Sequence, residues 1–74
     1  MTVHELLEMT TEEKIKELIE NSESTSETYA QLKLLEKKLA QAEVLEKDTD
    51  TRFLLSARYV LLTEVLFRYI RELP

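Results

Sequence analysis

The last third of the chain carries the densest run of hydrophobic positions. Between residues 53 and 70, 13 of 18 residues are apolar, and on a helix they form two rows roughly 160° apart. The first row, with spacings of four and three, comprises Leu55, Tyr59, Leu62, Leu66, Tyr69 and Leu73. The second row comprises Phe53, Ala57, Val60, Phe67 and two charged residues, Glu64 and Arg71. This pattern predicts a helix that needs apolar neighbours on two sides.

The segment before it predicts a second long helix, over residues 25–47. Its narrow apolar row has the spacing of a helix bundle and comprises Leu32, Leu35, Leu39 and Ala42. Residues 48–51 read Asp-Thr-Asp-Thr, four poor helix formers that are good caps. We therefore predict a turn near 48–51, with Asp50 or Thr51 as the cap, which makes residues 28–74 an antiparallel helical hairpin. An unbroken helix is the alternative, because no glycine supplies the usual C-cap.

Capping boxes organise the first third of the chain. Three pairs match this motif: Thr2 with Glu5, Thr10 with Glu13, and Ser24 with Glu27. They predict helices over about 3–9 and 10–20, although one kinked helix is also compatible with the pattern. We interpret residues 1–21 as an acidic helical arm with few apolar anchors, which adds little to the core. Residues 22–27, rich in serine and threonine, are interpreted as a polar linker.

Composition supports an all-α fold and association. The chain has no glycine and one terminal proline, and it shows no sustained apolar–polar alternation that would indicate a strand. Its 74 residues suffice for one domain, and a domain of this size buries only about 60% of its unfolded surface. Disulfides and thiolate zinc sites are excluded because there is no cysteine. We therefore predict a homodimer in which two hairpins form a four-helix bundle.

Charge is distributed unevenly along the chain. The net charge is −5, made up of −6 in residues 1–27, −1 in 28–50 and +2 in 51–74. This balance argues against direct binding to nucleic acid or to an anionic membrane. The acidic start is unlike a signal peptide, and charged residues interrupt the C-terminal apolar run. We expect a soluble cytoplasmic protein.

Two sets of residues are candidates for binding. The predicted homodimer interface is the second row, namely Phe53, Ala57, Val60, Phe67 and Arg71. The predicted site for a larger protein partner comprises Glu12, Glu13, Glu17 and Arg58. Arg58 falls in an apolar sector of the last helix. It is either paired, with Glu36 or Glu43 across the hairpin or with the acidic arm, or at a solvated edge. The glutamates either steer the arm to a basic partner or hold it against the chain's own arginines.

Motifs for catalysis are weak. His4 and Glu8 have the spacing of two metal ligands, but no second histidine accompanies them. The serines lack a positioned base, and a phosphate-binding glycine loop is impossible. We therefore expect no enzymatic activity, no cofactor and no metal.

The function predicted from these features is that of a small acidic protein-binding regulator. Such a regulator would be an inhibitor, an antitoxin-like neutraliser or an adaptor, by class-level analogy with bacterial and phage regulators. The alternative is a structural oligomerisation subunit of a larger assembly. A third hypothesis is a nucleic-acid mimic that acts through the N-terminal glutamate stripe, whose residues are Glu5, Glu8, Glu12, Glu13, Glu17 and Glu20.

Overall fold

The computed structural model describes residues 2–71, and within this range the chain forms four α-helices. Their bounds are α1 Val3–Met9, α2 Glu12–Asn21, α3 Thr25–Leu45 and α4 Thr49–Ile70. No strand occurs in the described range, so the predicted all-α class is confirmed. Leu73, predicted as the last member of the first row, lies outside the described residues.

The break between α1 and α2 falls between two adjacent threonines. Thr11 is the N-cap of α2, and its hydroxyl oxygen accepts a hydrogen bond from the Lys14 N–H at 3.3 Å. Thr10 is buried, and its hydroxyl donates to the Leu6 carbonyl oxygen at 2.8 Å. The predicted capping box of Thr10 with Glu13 is therefore wrong. Because Thr10 is buried and its hydroxyl is bonded to the end of α1, Thr11 rather than Thr10 caps α2.

The other two predicted caps of the N-terminal half are present. Thr2 caps α1 by accepting from the Glu5 N–H at 3.1 Å, and Ser24 caps α3 by accepting from the Glu27 N–H at 3.1 Å. Because α3 begins at Thr25, the connection from α2 covers only residues 22–24. The predicted linker through residue 27 is thus three residues longer than the connection in the structure.

The connection from α3 to α4 covers residues 46–48, two to three residues earlier than the predicted turn. The N-cap of α4 is Asp48 rather than Asp50 or Thr51. Its carboxylate accepts hydrogen bonds from the Thr51 N–H at 3.0 Å and the Thr51 hydroxyl at 2.7 Å. Asp50 instead lies in the first turn of α4, where a negative charge is favoured by the helix dipole.

This cap makes the stability of the fold depend on pH. The hydroxyl and N–H of Thr51 hold the pKa of the Asp48 carboxyl below its ordinary value. A depressed pKa in the folded state stabilises the fold above the unfolded pKa, and this contribution is lost as pH falls through the folded pKa. We therefore expect wild type to lose its stability advantage over Asp48→Asn as the pH falls below about 4. Urea denaturation of both proteins from neutral to acidic pH checks this, and a constant difference would contradict it.

The hydrophobic core lies mainly between α3 and α4, which share the most extensive helix–helix contact of the fold. Its apolar members are Leu6, Ile15, Leu32, Leu35, Leu39, Leu55, Leu62 and Leu66. Leu6 belongs to α1 and Ile15 to α2, and both are buried together with Thr10. The expectation that the acidic arm adds little to the core is therefore wrong. A chain this small needs the few apolar residues that α1 and α2 offer.

One carboxylate is buried between the two long helices. Glu36 of α3 accepts hydrogen bonds from the Thr63 hydroxyl of α4 at 2.9 Å and from the Lys33 ammonium at 2.9 Å. Two effects of Glu36 raise the pKa of the Lys33 ammonium. The larger is the hydrogen bond between the two side chains, and the smaller is the negative charge of the carboxylate. Every buried side-chain nitrogen or oxygen in the described range has a hydrogen-bond partner. Glu36 therefore joins α3 to α4 without leaving an unpaired buried charge.

Candidate protein-binding surface

The two rows of α4 have opposite environments. The first row faces the core, where Leu55, Leu62 and Leu66 are buried. The second row faces away from it, and its large side chains are exposed: Phe53 by 74%, Phe67 by 63% and Val60 by 52%. Ala57 and Arg71, the other predicted interface residues, are also exposed. One chain alone thus leaves the second row uncovered.

The three large residues of the second row are evenly spaced. Phe53, Val60 and Phe67 follow each other at intervals of seven residues. Two helical turns contain about 7.2 residues, so the three side chains lie nearly in line and drift by only about 20° per interval. The row is about 21 Å long from Phe53 to Phe67, given 1.5 Å per residue. This is the geometry of a helix seam in a bundle or coiled coil.

The glutamates that were predicted to bind a partner lie on two different surfaces of α2. Glu13 and Glu17 are exposed on the side of α2 opposite the buried Ile15, and Glu20 shares that side. Glu12 instead lines a groove between α2 and α4, together with Arg68. The sequence analysis named Glu20 only in the glutamate stripe and not in the predicted partner-binding set, although its spacing of three from Glu17 places it on the same side. The acidic outer face of α2 is therefore Glu13, Glu17 and Glu20.

Apolar contacts rather than ion pairs hold the arm against the long helices. The ion pairs within residues 2–71 are Lys14–Glu17 at 3.8 Å and Lys33–Glu36 at 2.9 Å, and the His4 imidazole lies 3.0 Å from the Glu8 carboxylate. Each joins neighbours three or four apart on one helix, and in this range none links the arm to an arginine of α4. Ile15 is buried, and Leu18 and Ile19 pack against the core.

Arg58 makes none of the ion pairs predicted for it with Glu36, Glu43 or the acidic arm. It is half-buried on α4, and among the described residues no carboxylate lies within 4.0 Å of it. Glu36, one of its predicted partners, is instead bonded to Lys33 and Thr63. These two donors satisfy the buried carboxylate, so Arg58 has no role in neutralising it.

A second exposed apolar region lies beside α3. An open groove of about 440 Å³ separates α1 from the last turns of α3, with Val3, Leu6 and Leu45 in its walls. Leu34 and Met9 extend exposed apolar surface along the same side of α3. Sequence reasoning missed this region because Leu34 and Leu45 stand outside the regular row of α3. Only the position of α1 against α3 brings these residues together.

The described residues contain no group of three or more histidine, cysteine, aspartate or glutamate side chains that could hold a metal ion. His4 and Glu8 form a two-member pair on the exposed side of α1. In the same part of the chain, none of the helices combines the length and the apolar character needed to cross a lipid bilayer.

No protein-family model, curated protein or solved structure matches this chain.

Proposed function

We propose that this chain is a small non-catalytic protein-binding regulator that works as a homodimer. The observation that carries the proposal is the exposure of Phe53, Val60 and Phe67 on one side of α4. Monomeric proteins seldom leave a contiguous apolar patch of this kind open to water. Aromatic side chains, phenylalanine included, are also enriched at protein interfaces relative to the rest of the surface.

In the proposed dimer, α3 and α4 of each chain form an antiparallel helical hairpin. Two hairpins pack through the second rows of their α4 helices into a four-helix bundle. The core of each chain then continues through α4 into the interface, so that both rows of this helix are covered. The arm stays outside the bundle, because α2 lies beside Leu61 and Val65, on a different side of α4 from the second row.

The acidic outer face of α2 is the surface proposed for a larger protein partner. Residues 1–27 have a net charge of −6, and Glu13, Glu17 and Glu20 are exposed together on the outside of the fold. A concentrated negative surface accelerates encounter with a basic surface and restricts the choice of partner. This face remains accessible when α4 is occupied by a second copy.

A structural role in a larger assembly is the second candidate, and the groove beside α3 favours it. Leu34, Leu45 and Met9 are exposed there, away from the second row of α4. A dimer that buried only α4 would keep this region open for further self-association. In that case the mass of the protein would continue to rise with concentration beyond that of a dimer.

Charge reversal on α2 tests the regulatory part of the proposal. Immobilised wild type is compared with a Glu13→Lys/Glu17→Lys variant in cell extract, with Glu8→Lys/Glu23→Lys as a control of equal charge change at exposed positions elsewhere. We expect wild type and the control to retain the same protein, and the α2 variant to lose it. The melting temperatures should agree within a few degrees, since exposed substitutions change stability by only about 0.5 kcal/mol. Equal retention by all three proteins would refute a role for this face.

A further inference from the structure

We propose that the two α4 helices of the dimer lie antiparallel about a two-fold axis at Val60. This inference rests on the proposed homodimer and specifies its geometry. Val60 stands seven residues from Phe53 and seven from Phe67, so the three large side chains of the second row have the same order in both directions. An interface between identical copies across a two-fold axis requires such self-complementarity, whereas an unrelated partner does not.

Antiparallel pairing about Val60 gives each of the three large side chains of the second row an apolar partner. Phe53 of one copy lies level with Phe67 of the other, which produces two equivalent aromatic layers. Val60 lies level with its own symmetry mate between these layers, about 10 Å from each along the helix axis. The smaller valine at the centre lets the helices approach, while the paired rings close both ends in the offset or edge-to-face geometry that aromatic pairs prefer.

A parallel dimer would make equally apolar layers, so charge distinguishes the two orientations. Five exposed charged residues lie in or beside the second row: Asp50, Arg52, Glu64, Arg68 and Arg71. In a parallel pair Asp50 would face Arg52 of the other copy, but Glu64 and Arg71, which lie nearest to the row, would each face their own copy and set like charges together at two levels. In the antiparallel pair Asp50 lies within one turn of Arg68 and Arg71 of the other copy, and Glu64 lies level with Ser56. In the antiparallel pair Arg52 lies level with Arg68 of the other copy, but the two project from opposite sides of the row.

The helical geometry also places these opposite charges on the same side of the interface. Asp50 and Arg68 are 18 residues apart, which is about five full turns, so both project from the same side of the second row. A two-fold axis perpendicular to an antiparallel helix pair keeps equivalent sides together. Asp50 of each copy therefore faces Arg68 of the other, and this contact occurs twice. Such exposed pairs determine orientation more than affinity.

Single cysteines test this geometry directly, because the chain has no cysteine of its own. A disulfide needs Cα atoms within about 7 Å. Val60→Cys reports contact at the axis. Ala57→Cys and Glu64→Cys report orientation, because these two positions meet each other only in the antiparallel pair. Both variants keep the three large side chains of the second row. Val44→Cys, at a residue 79% exposed on α3, is the control for random collision.

After mild oxidation, we expect the Val60→Cys variant to form a covalent dimer with itself. Ala57→Cys and Glu64→Cys should form several times more covalent dimer when mixed than when oxidised separately. Cross-linking of each variant with itself, without a gain on mixing, would refute the antiparallel geometry and leave the homodimer intact. A dimeric mass without any cross-link above the Val44→Cys control would also overturn the inference. A monomeric wild type in sedimentation would instead refute the homodimer on which it rests.

Discussion

Replacing Leu62 by alanine is expected to lower the melting temperature by at least about 10 °C. Leu62 lies on the core side of α4 and is completely buried. Truncation of a buried leucine to alanine costs about 2–5 kcal/mol, because apolar contacts are lost and a cavity remains. A domain of this size has a total stability of only about 4–11 kcal/mol, so a single substitution removes a large part of it.

The matched control for this prediction is Leu45→Ala. It removes the same atoms from the last residue of α3, where the side chain is exposed. Thermal denaturation followed by circular dichroism should place Leu45→Ala within a few degrees of wild type. All proteins must be compared at one concentration, because association contributes to the apparent stability. Equal melting temperatures for the two variants would contradict the position of the core between α3 and α4.

The second large effect is expected at the interface, where Val60→Glu should separate the dimer. Val60 lies at the centre of the second row and is exposed in the single chain, so the helix itself tolerates the change. In the dimer, the substitution brings two unpaired carboxylates into a surface that excludes water. Burying such charges costs several kcal/mol, and each 1.4 kcal/mol is a factor of about ten in affinity. We expect the dissociation constant to rise by at least about 100-fold.

Val44→Glu is the control for this variant, because it makes the same substitution at an exposed valine of α3. Its helical circular dichroism and its mass in sedimentation should match those of wild type. Val60→Glu should keep the helical signal but sediment as a single chain. If both variants remained dimeric, the second row of α4 would not be the interface.

Regular periodicity predicted much of this fold. The two rows of α4 were predictable because 13 apolar residues in 18 cannot all face one side of a helix. Local chemistry fixed the caps at Thr2 and Ser24, each with a glutamate three residues later. The same motif does not identify the cap where two neighbouring residues are equally suitable. Thr10 and Thr11 are both good caps, and the burial of Thr10 decides between them.

Features that depend on tertiary packing were not predictable from the sequence. Asp48 and Asp50 are chemically equivalent caps, and the choice of Asp48 follows from where α3 ends. The burial of Leu6 and Ile15 depends on how the arm lies against the long helices, which their sparse pattern does not specify. For the candidate site, the exposed second row was predictable from its two-sided pattern, whereas the groove beside α3 was not.

The homodimer is tested most directly by the mass of wild type in sedimentation equilibrium at about 100 μM. We expect a dimer, with twice the 8.7 kDa mass of one chain. A constant mass of 8.7 kDa from low concentration to about 100 μM would contradict it.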